Sequence, residues 1–297
     1  MDKKENMTLE QVKLDLDLVK SLGFKGIKMW NIEEYESKGW TDEIFEALEQ
    51  RGLKAILPFR WKGWSNFPYN KTETDEFIQS VSSLCNRLTH KKSLMWYGIH
   101  YPVSSWKDLN KTWDTFKRPE YKSELQRIID AIYVADSSHE IYMLLEFDPD
   151  WNGNHPSYDL DHIAGFGVEP YSWCTSNIVD YEKIDSWLNY FKSKGKKAYI
   201  DEWGVQWQNA TQYWLETHGE IHHGHADNET MKCKMIEDFV RHIHNWDIVW
   251  SYFALHDTGE SDWGLAYANN TLKESGRRMQ DCLLYTSRAH ETVLDLV

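Results

Sequence analysis

The chain has 297 residues, 41% of them hydrophobic, 14% aromatic and 27% charged. That is long enough to bury one large core and too rich in aromatic bulk for a chain that stays disordered. The 33 Lys and Arg against 47 Asp and Glu leave a net charge of −14, which disfavours nucleic acid, anionic membrane surfaces and strongly acidic substrates.

No apolar run approaches the roughly 18 residues of a membrane span. The opening MDKKENMTLEQ lacks the apolar stretch of a signal peptide. Cys85, Cys174, Cys233 and Cys282 are scattered without a CxxC, so they suggest neither a disulfide framework nor a zinc finger.

In chain order, strand and helix patterns alternate without a break in composition. Leu9, Val12, Leu16, Val19 and Leu22 share one helical face, and Gly23 ends it. Residues 24–31 read as a strand, 42–52 as a helix stopped by glycine, and 53–61 as a strand. A helix over 72–88 leads to a strand over 93–103, then to a polar loop over 104–119. A helix over 120–136 is followed by strands over 141–148 and 162–173; Gly165 and Gly167 in the latter suggest crowding inside a barrel. Then come a helix (181–195), a strand (196–205), a helix (229–244) and a last strand (247–255).

Seven strands in this alternation predict a (β/α)₈ barrel that is one strand short. The chain opens on a helix, so the missing strand is the first. The barrel is expected to span 1–281. Residues 282–297 lack the spacing of another strand–helix unit and read as a non-native tail; the run Leu283–Thr292 resembles translated adapter DNA. The strands flanking the missing one would leave an unpaired gap.

In such barrels chemistry sits at the C-terminal ends of the strands. Those ends read Trp30-Asn31, Phe59-Arg60-Trp61, His100-Tyr101-Pro102, Glu146-Phe147-Asp148, Glu169-Pro170-Tyr171-Ser172-Trp173, Asp201-Glu202-Trp203-Gly204 and Ala254-Leu255-His256-Asp257. Carboxylates across a mouth lined by indoles suit hydrolysis of a glycosidic bond. One carboxyl protonates the leaving oxygen, the other attacks the anomeric carbon or activates water, and the indoles stack on sugar rings. The 16 Trp of the chain supply such surfaces, although aromatics also fill cores.

Three segments carry a resemblance. AYIDEWGVQ (198–206) resembles the seventh strand of clan A glycoside hydrolases, the cellulase-like family 5 among them, where a strand ends in Glu-aromatic-Gly. GFGVEPYSW (165–173) resembles the sixth strand, and 249–275 the region of the eighth. The resemblance implies a retaining glycosidase without a cofactor. It implies Glu202 as nucleophile and Tyr171 as its hydrogen-bonding partner; the strand-end reading adds Trp61, His100, Tyr101, Tyr171, Trp173, Trp203 and Trp263 as candidates to bind the sugar. The chain departs from the clan at its fourth strand, where Asn-Glu supplies the acid/base. Here His100 and Tyr101 stand in those places, and a tyrosine is a poor acid for this leaving group at neutral pH. Glu169 is the leading replacement and Glu146 the second. Glu169 also suits a structural role, holding His100 or Arg60 by a charged hydrogen bond.

Two other readings stand beside this one. A barrel without its acid could bind a neutral glycan and not cleave it. His218, His222, His223 and His225 could chelate a metal, but no carboxylate-His spacing completes such a site, and a solvated loop is the expectation. Sequons at Asn6, Asn70, Asn110, Asn209, Asn228 and Asn269 are compatible with an exported parent protein.

Overall fold

The computed structural model describes residues 7–30, 32–60, 71–100, 119–146, 160–170, 174–175, 178–207, 225–226, 228–257, 263–285 and 292–296; for a few of these, Glu146 and 292–296 among them, only the backbone course is described. Eight parallel strands form the barrel: β1 (Gly26–Met29), β2 (Lys54–Arg60), β3 (Leu94–His100), β4 (Glu140–Glu146), β5 (Ile163–Glu169), β6 (Lys197–Trp203), β7 (Trp250–Tyr252) and β8 (Thr292–Leu296). Each of β2 to β7 lies beside the strand before it, β8 lies between β7 and β1, and β1 pairs with β2 to close the ring.

The helices pack outside this ring. They are α1 (Leu9–Ser21), α2 (Ile32–Ser37), α3 (Thr41–Arg51), α4 (Lys71–Leu88), α5 (Pro119–Ala135), α6 (Tyr181–Ser193), α7 (Glu229–Ile243) and α8 (Glu274–Tyr285). In α1, Thr8 caps the first turn by accepting from Gln11 N at 3.2 Å, and Val12, Leu16 and Val19 turn inward. Helix α3 stops at Gly52, whose φ of 69° is the left-handed conformation glycine adopts without strain. No helix among the described residues is long and apolar enough to cross a membrane.

The place expected to lack a strand is occupied by the C-terminal segment. Gly26 to Met29 pair with Val293 to Leu296, and Trp250 to Tyr252 with Thr292 to Leu294, all parallel. The seven strands up to Tyr252 follow the order expected of a barrel, and β8 supplies the eighth position. Helix α8 runs across the expected boundary at residue 281, with Cys282 and Leu283 packed on the core.

Two layers of core follow from strand alternation. Outward residues such as Ile27, Leu57, Ile99, Met143, Phe166 and Ile200 meet the helices. Inward residues Ile56, Trp96, Tyr142, Leu144 and Tyr199 fill the barrel. The crowding expected at the strand glycines is present. A Cβ on Gly167 would lie 2.6 Å from the Tyr199 ring, and one on Gly165 would lie 2.2 Å from the Lys197 carbonyl. Cys85, Cys233 and Cys282 are free thiols.

Candidate active site

The same alternation decides which strand-end side chains converge. Lys28, Arg60, His100, Glu169 and Asp201 all share the parity of the inward layer. Strict alternation would then send Glu202 outward. It does not, because β6 carries an irregularity against β7: Trp250 pairs with Ile200, yet Tyr252 pairs with Trp203. The extra residue at this bulge lets both Asp201 and Glu202 face the barrel, and Trp203 turns away.

Lys28 is the hub of the cluster and is wholly buried. Its Nζ donates to Asp201 Oδ2 at 2.6 Å and to Glu202 Oε1 at 2.9 Å. It also lies 3.8 Å from the centre of the Trp30 ring. The second Asp201 oxygen accepts from the Tyr199 hydroxyl at 2.8 Å, and its backbone carbonyl accepts from Ser251 Oγ. Burial pushes the Glu202 carboxyl above the usual carboxylate range; the Lys28 ammonium pulls it down, the Asp201 charge pushes it up, and Arg60 pulls it down from further away.

On the facing side, His100 Nε2 stands 3.5 Å from Glu169 Oε1, both side chains almost fully buried. The His100 ring meets Trp30 edge-on, with centroids 4.4 Å apart. Trp30 therefore joins the two halves: Lys28 and Glu202 on one side, His100 and Glu169 on the other. His100, Glu169 and Asp201 each bring a possible metal-ligand atom within 4.8 Å of the other two. The donor types suit a divalent cation, but Lys28 already places a full positive charge on Asp201, which opposes a second cation there.

The expected site residues fall into three groups. Glu202, Glu169 and His100 are brought together. The backbone of Glu146 ends β4 directly opposite Glu169 in the β4–β5 register. Trp61, Tyr101, Tyr171 and Trp173 lie outside the described residues, as do His218, His222 and His223.

Trp203 departs from expectation. It is fully buried and stacks on Phe239 of α7 with centroids 3.7 Å apart, so its ring is part of the barrel–helix core and offers no face to a sugar. Trp263 is also buried, packed edge-on to Phe253 and over Gly204, where a Cβ would meet its ring at 3.1 Å. Beyond β7, His256 turns to Asp15 of α1 at 3.2 Å, and Asp257 accepts from Lys273 at 2.7 and 2.9 Å; these anchor the loop outside the cluster.

Sequence reading missed Lys28 and Asp201. The available signals were a lysine inside an otherwise apolar strand and two adjacent carboxylates at a strand end.

This arrangement places acidic, basic and aromatic groups at the C-terminal end of a parallel barrel, the architecture of many glycosidases. Solved glycoside hydrolases share the fold. A Streptomyces cattleya GH5_18 protein in complex with Manβ1-4GlcNAc superposes with a TM-score of 0.67 at 12% identity, over 96% of this chain and 78% of that one. Bacteroides uniformis β-glucuronidase 2 gives a TM-score of 0.69 at 13% identity, over 96% of this chain and 34% of that one. An FMN-binding β-glucuronidase from Faecalibacterium prausnitzii gives 0.68 at 13% identity, over 95% and 42%. The chain thus spans well under half the length of these two glucuronidases. At such identities the likeness is one of fold. No protein-family model and no curated protein matches the sequence.

Proposed function

We propose that the chain is a glycoside hydrolase that cleaves O-glycosidic bonds of a largely neutral poly- or oligosaccharide by a retaining route. The observation that carries this reading is Glu202, buried at the C-terminal end of β6 against Lys28 and Asp201, one strand from Glu169. Glu202 is the nucleophile. Its carboxylate oxygen attacks the anomeric carbon as the glycosidic oxygen leaves with a proton from Glu169. Water then hydrolyses the glycosyl-enzyme bond, giving its proton back to Glu169. The Lys28 ammonium supports the ionised form a nucleophile needs, against the pull of burial. Trp30, half-buried, touches Lys28, Arg60 and His100 beside these carboxyls. No cofactor takes part in these steps.

The test is Glu202→Gln against a panel of β-linked glycans. Loss of reducing-end release with binding retained supports the assignment; full activity in the variant overturns it.

A second reading has its own support. His100 occupies a place that the resembled family fills with its acid/base pair, which favours reading the barrel as a glycan binder that does not cleave. Tight binding with no reducing ends released from any panel member by the wild-type protein selects that reading.

A further inference from the structure

We propose that Arg60 reads a carboxylate on the bound sugar, so that the glycan is neutral along most of its length and bears a uronic acid residue at this site. The proposal rests on the glycan-directed reading above and specifies its substrate class.

Arg60 ends β2 at the mouth and is exposed, unlike the preceding five residues of its strand. Its guanidinium carbon lies over the Trp30 ring, 4.3 Å from the centre. That contact fixes the head without using its N–H donors. Among the described residues no carboxylate forms an ion pair with it. The other cation on Trp30, Lys28, is already shared between Asp201 and Glu202 at 2.6 and 2.9 Å. Among the described residues the mouth therefore holds one neutralised cation deep in the barrel, Lys28, and one outward cation, Arg60.

Arg60, Trp30, Lys28 and Glu202 form a chain of contacts with separations of 4.3, 3.8 and 2.9 Å. A sugar placed with its anomeric carbon near Glu202 sits beside this cluster, with the exposed Arg60 head at its outer end. A planar carboxylate on the ring matches the fork of N–H donors two to two. The net charge of −14 sets the other bound: a polyanion is repelled by the whole surface, whereas one carboxylate held by a fixed guanidinium is not.

The experiment measures binding, so that turnover does not enter. Xylo-oligosaccharides with and without glucuronic acid branches, and manno-oligosaccharides with and without a single uronic acid residue, are titrated by calorimetry into the Glu202→Gln protein and into the same protein carrying Arg60→Gln. The uronate member of at least one pair is expected to bind about 10- to 100-fold tighter than its neutral partner, the range for a charge-assisted hydrogen bond. Arg60→Gln brings that ratio close to one, and Arg60→Lys, which keeps the charge but loses the fork, leaves an intermediate ratio. Equal affinity within every pair, or an equal loss for both members on Arg60→Gln, overturns the proposal while the glycan reading stands; the second result would make Arg60 a support for Glu202 alone. Failure of all these saccharides to bind wild-type protein or variant overturns the glycan reading itself.

Discussion

Lys28 gives the sharpest test of the site's electrostatics. Lys28→Met keeps length and apolar bulk and removes the charge. The wild-type ammonium, Asp201 and Glu202 are all buried, at 0%, 0% and 7% exposure, so solvent cannot replace the lost partner. Removing one member of a buried ion pair costs about 3–5 kcal/mol. For a domain of this size each kcal/mol lowers Tm by about 2 °C, so a drop of roughly 6–10 °C is expected.

The deficit depends on pH, and its sign follows from Glu202. Burial already holds this carboxyl above its ordinary value of 4.5, so the folded protein binds that proton more tightly than the unfolded chain does. Stability contributed by the group is gained as pH falls through its folded pKa toward 4.5, and lost as pH rises. Without Lys28 the upward shift grows. The deficit of Lys28→Met should therefore be largest at pH 8 and shrink toward pH 5 in urea melts. If Glu202 is the nucleophile, the ascending limb of the pH–rate profile also moves to higher pH. Lys28→Arg should recover part of both effects. A Tm within 2 °C of wild type, or a deficit that does not change between pH 5 and pH 8, refutes the reasoning.

The other expectations are simpler. Azide should restore turnover of an activated aryl glycoside in Glu169→Ala; restoration in Glu146→Ala instead would move the acid to β4. Gly167→Ala drives a methyl group to 2.6 Å from the Tyr199 ring inside the barrel and should cost about 1–3 kcal/mol by overpacking, read as a lower urea midpoint. Asp136 accepts from Tyr97 Oη at 2.7 Å and from the Ser138 amide and hydroxyl at 2.9 and 2.6 Å, and its Oδ2 lies 2.7 Å from His139 Nδ1. Burial pushes its carboxyl up, but the bonds from Ser138, Tyr97 and His139 outweigh burial and hold it below the usual range. A lowered folded pKa contributes stability above the unfolded value that is lost on acidification. Asp136→Asn should thus lose on the order of 2–3 kcal/mol at pH 7 and show a smaller drop between pH 5 and pH 3 than wild type.

The fold was legible because apolar runs and glycine stops are local signals. Residues 93–103 and 162–173 read as strands without any knowledge of their neighbours. Helix α2 escaped notice because six residues do not show a helical period. Strand β8 escaped because five residues after an irregular segment carry no sign that a parallel slot exists between β7 and β1. Such a slot is a property of the closed ring and not of the segment that fills it.

The site was legible up to the point where alternation holds. Glu169 and His100 share inward parity, and both reach the barrel mouth. Glu202 was singled out by its motif, and Asp201 beside it was not. Only the bulge against β7 lets Asp201 and Glu202 point the same way, and that irregularity arises from pairing across strands. The same bulge turns Trp203 onto Phe239. Lys28 was passed over because a charged residue in a strand usually marks a solvent face; here two carboxylates from β6 supply what solvent would.

These placements separate the carboxylates by environment. Glu202 touches an ammonium that pulls its carboxyl down against the larger upward push of burial. Glu169 faces an imidazole, a group able to give up or take a proton near neutral pH. A displacement at an anomeric carbon needs one carboxyl that keeps its charge and another that hands over a proton. The proposed mechanism assigns these two parts to Glu202 and Glu169, which stand on adjacent strands beside Lys28 and His100 respectively. On the proposed reading Glu202 attacks and Glu169 protonates, although the place where the resembled family carries its acid holds His100 and Tyr101.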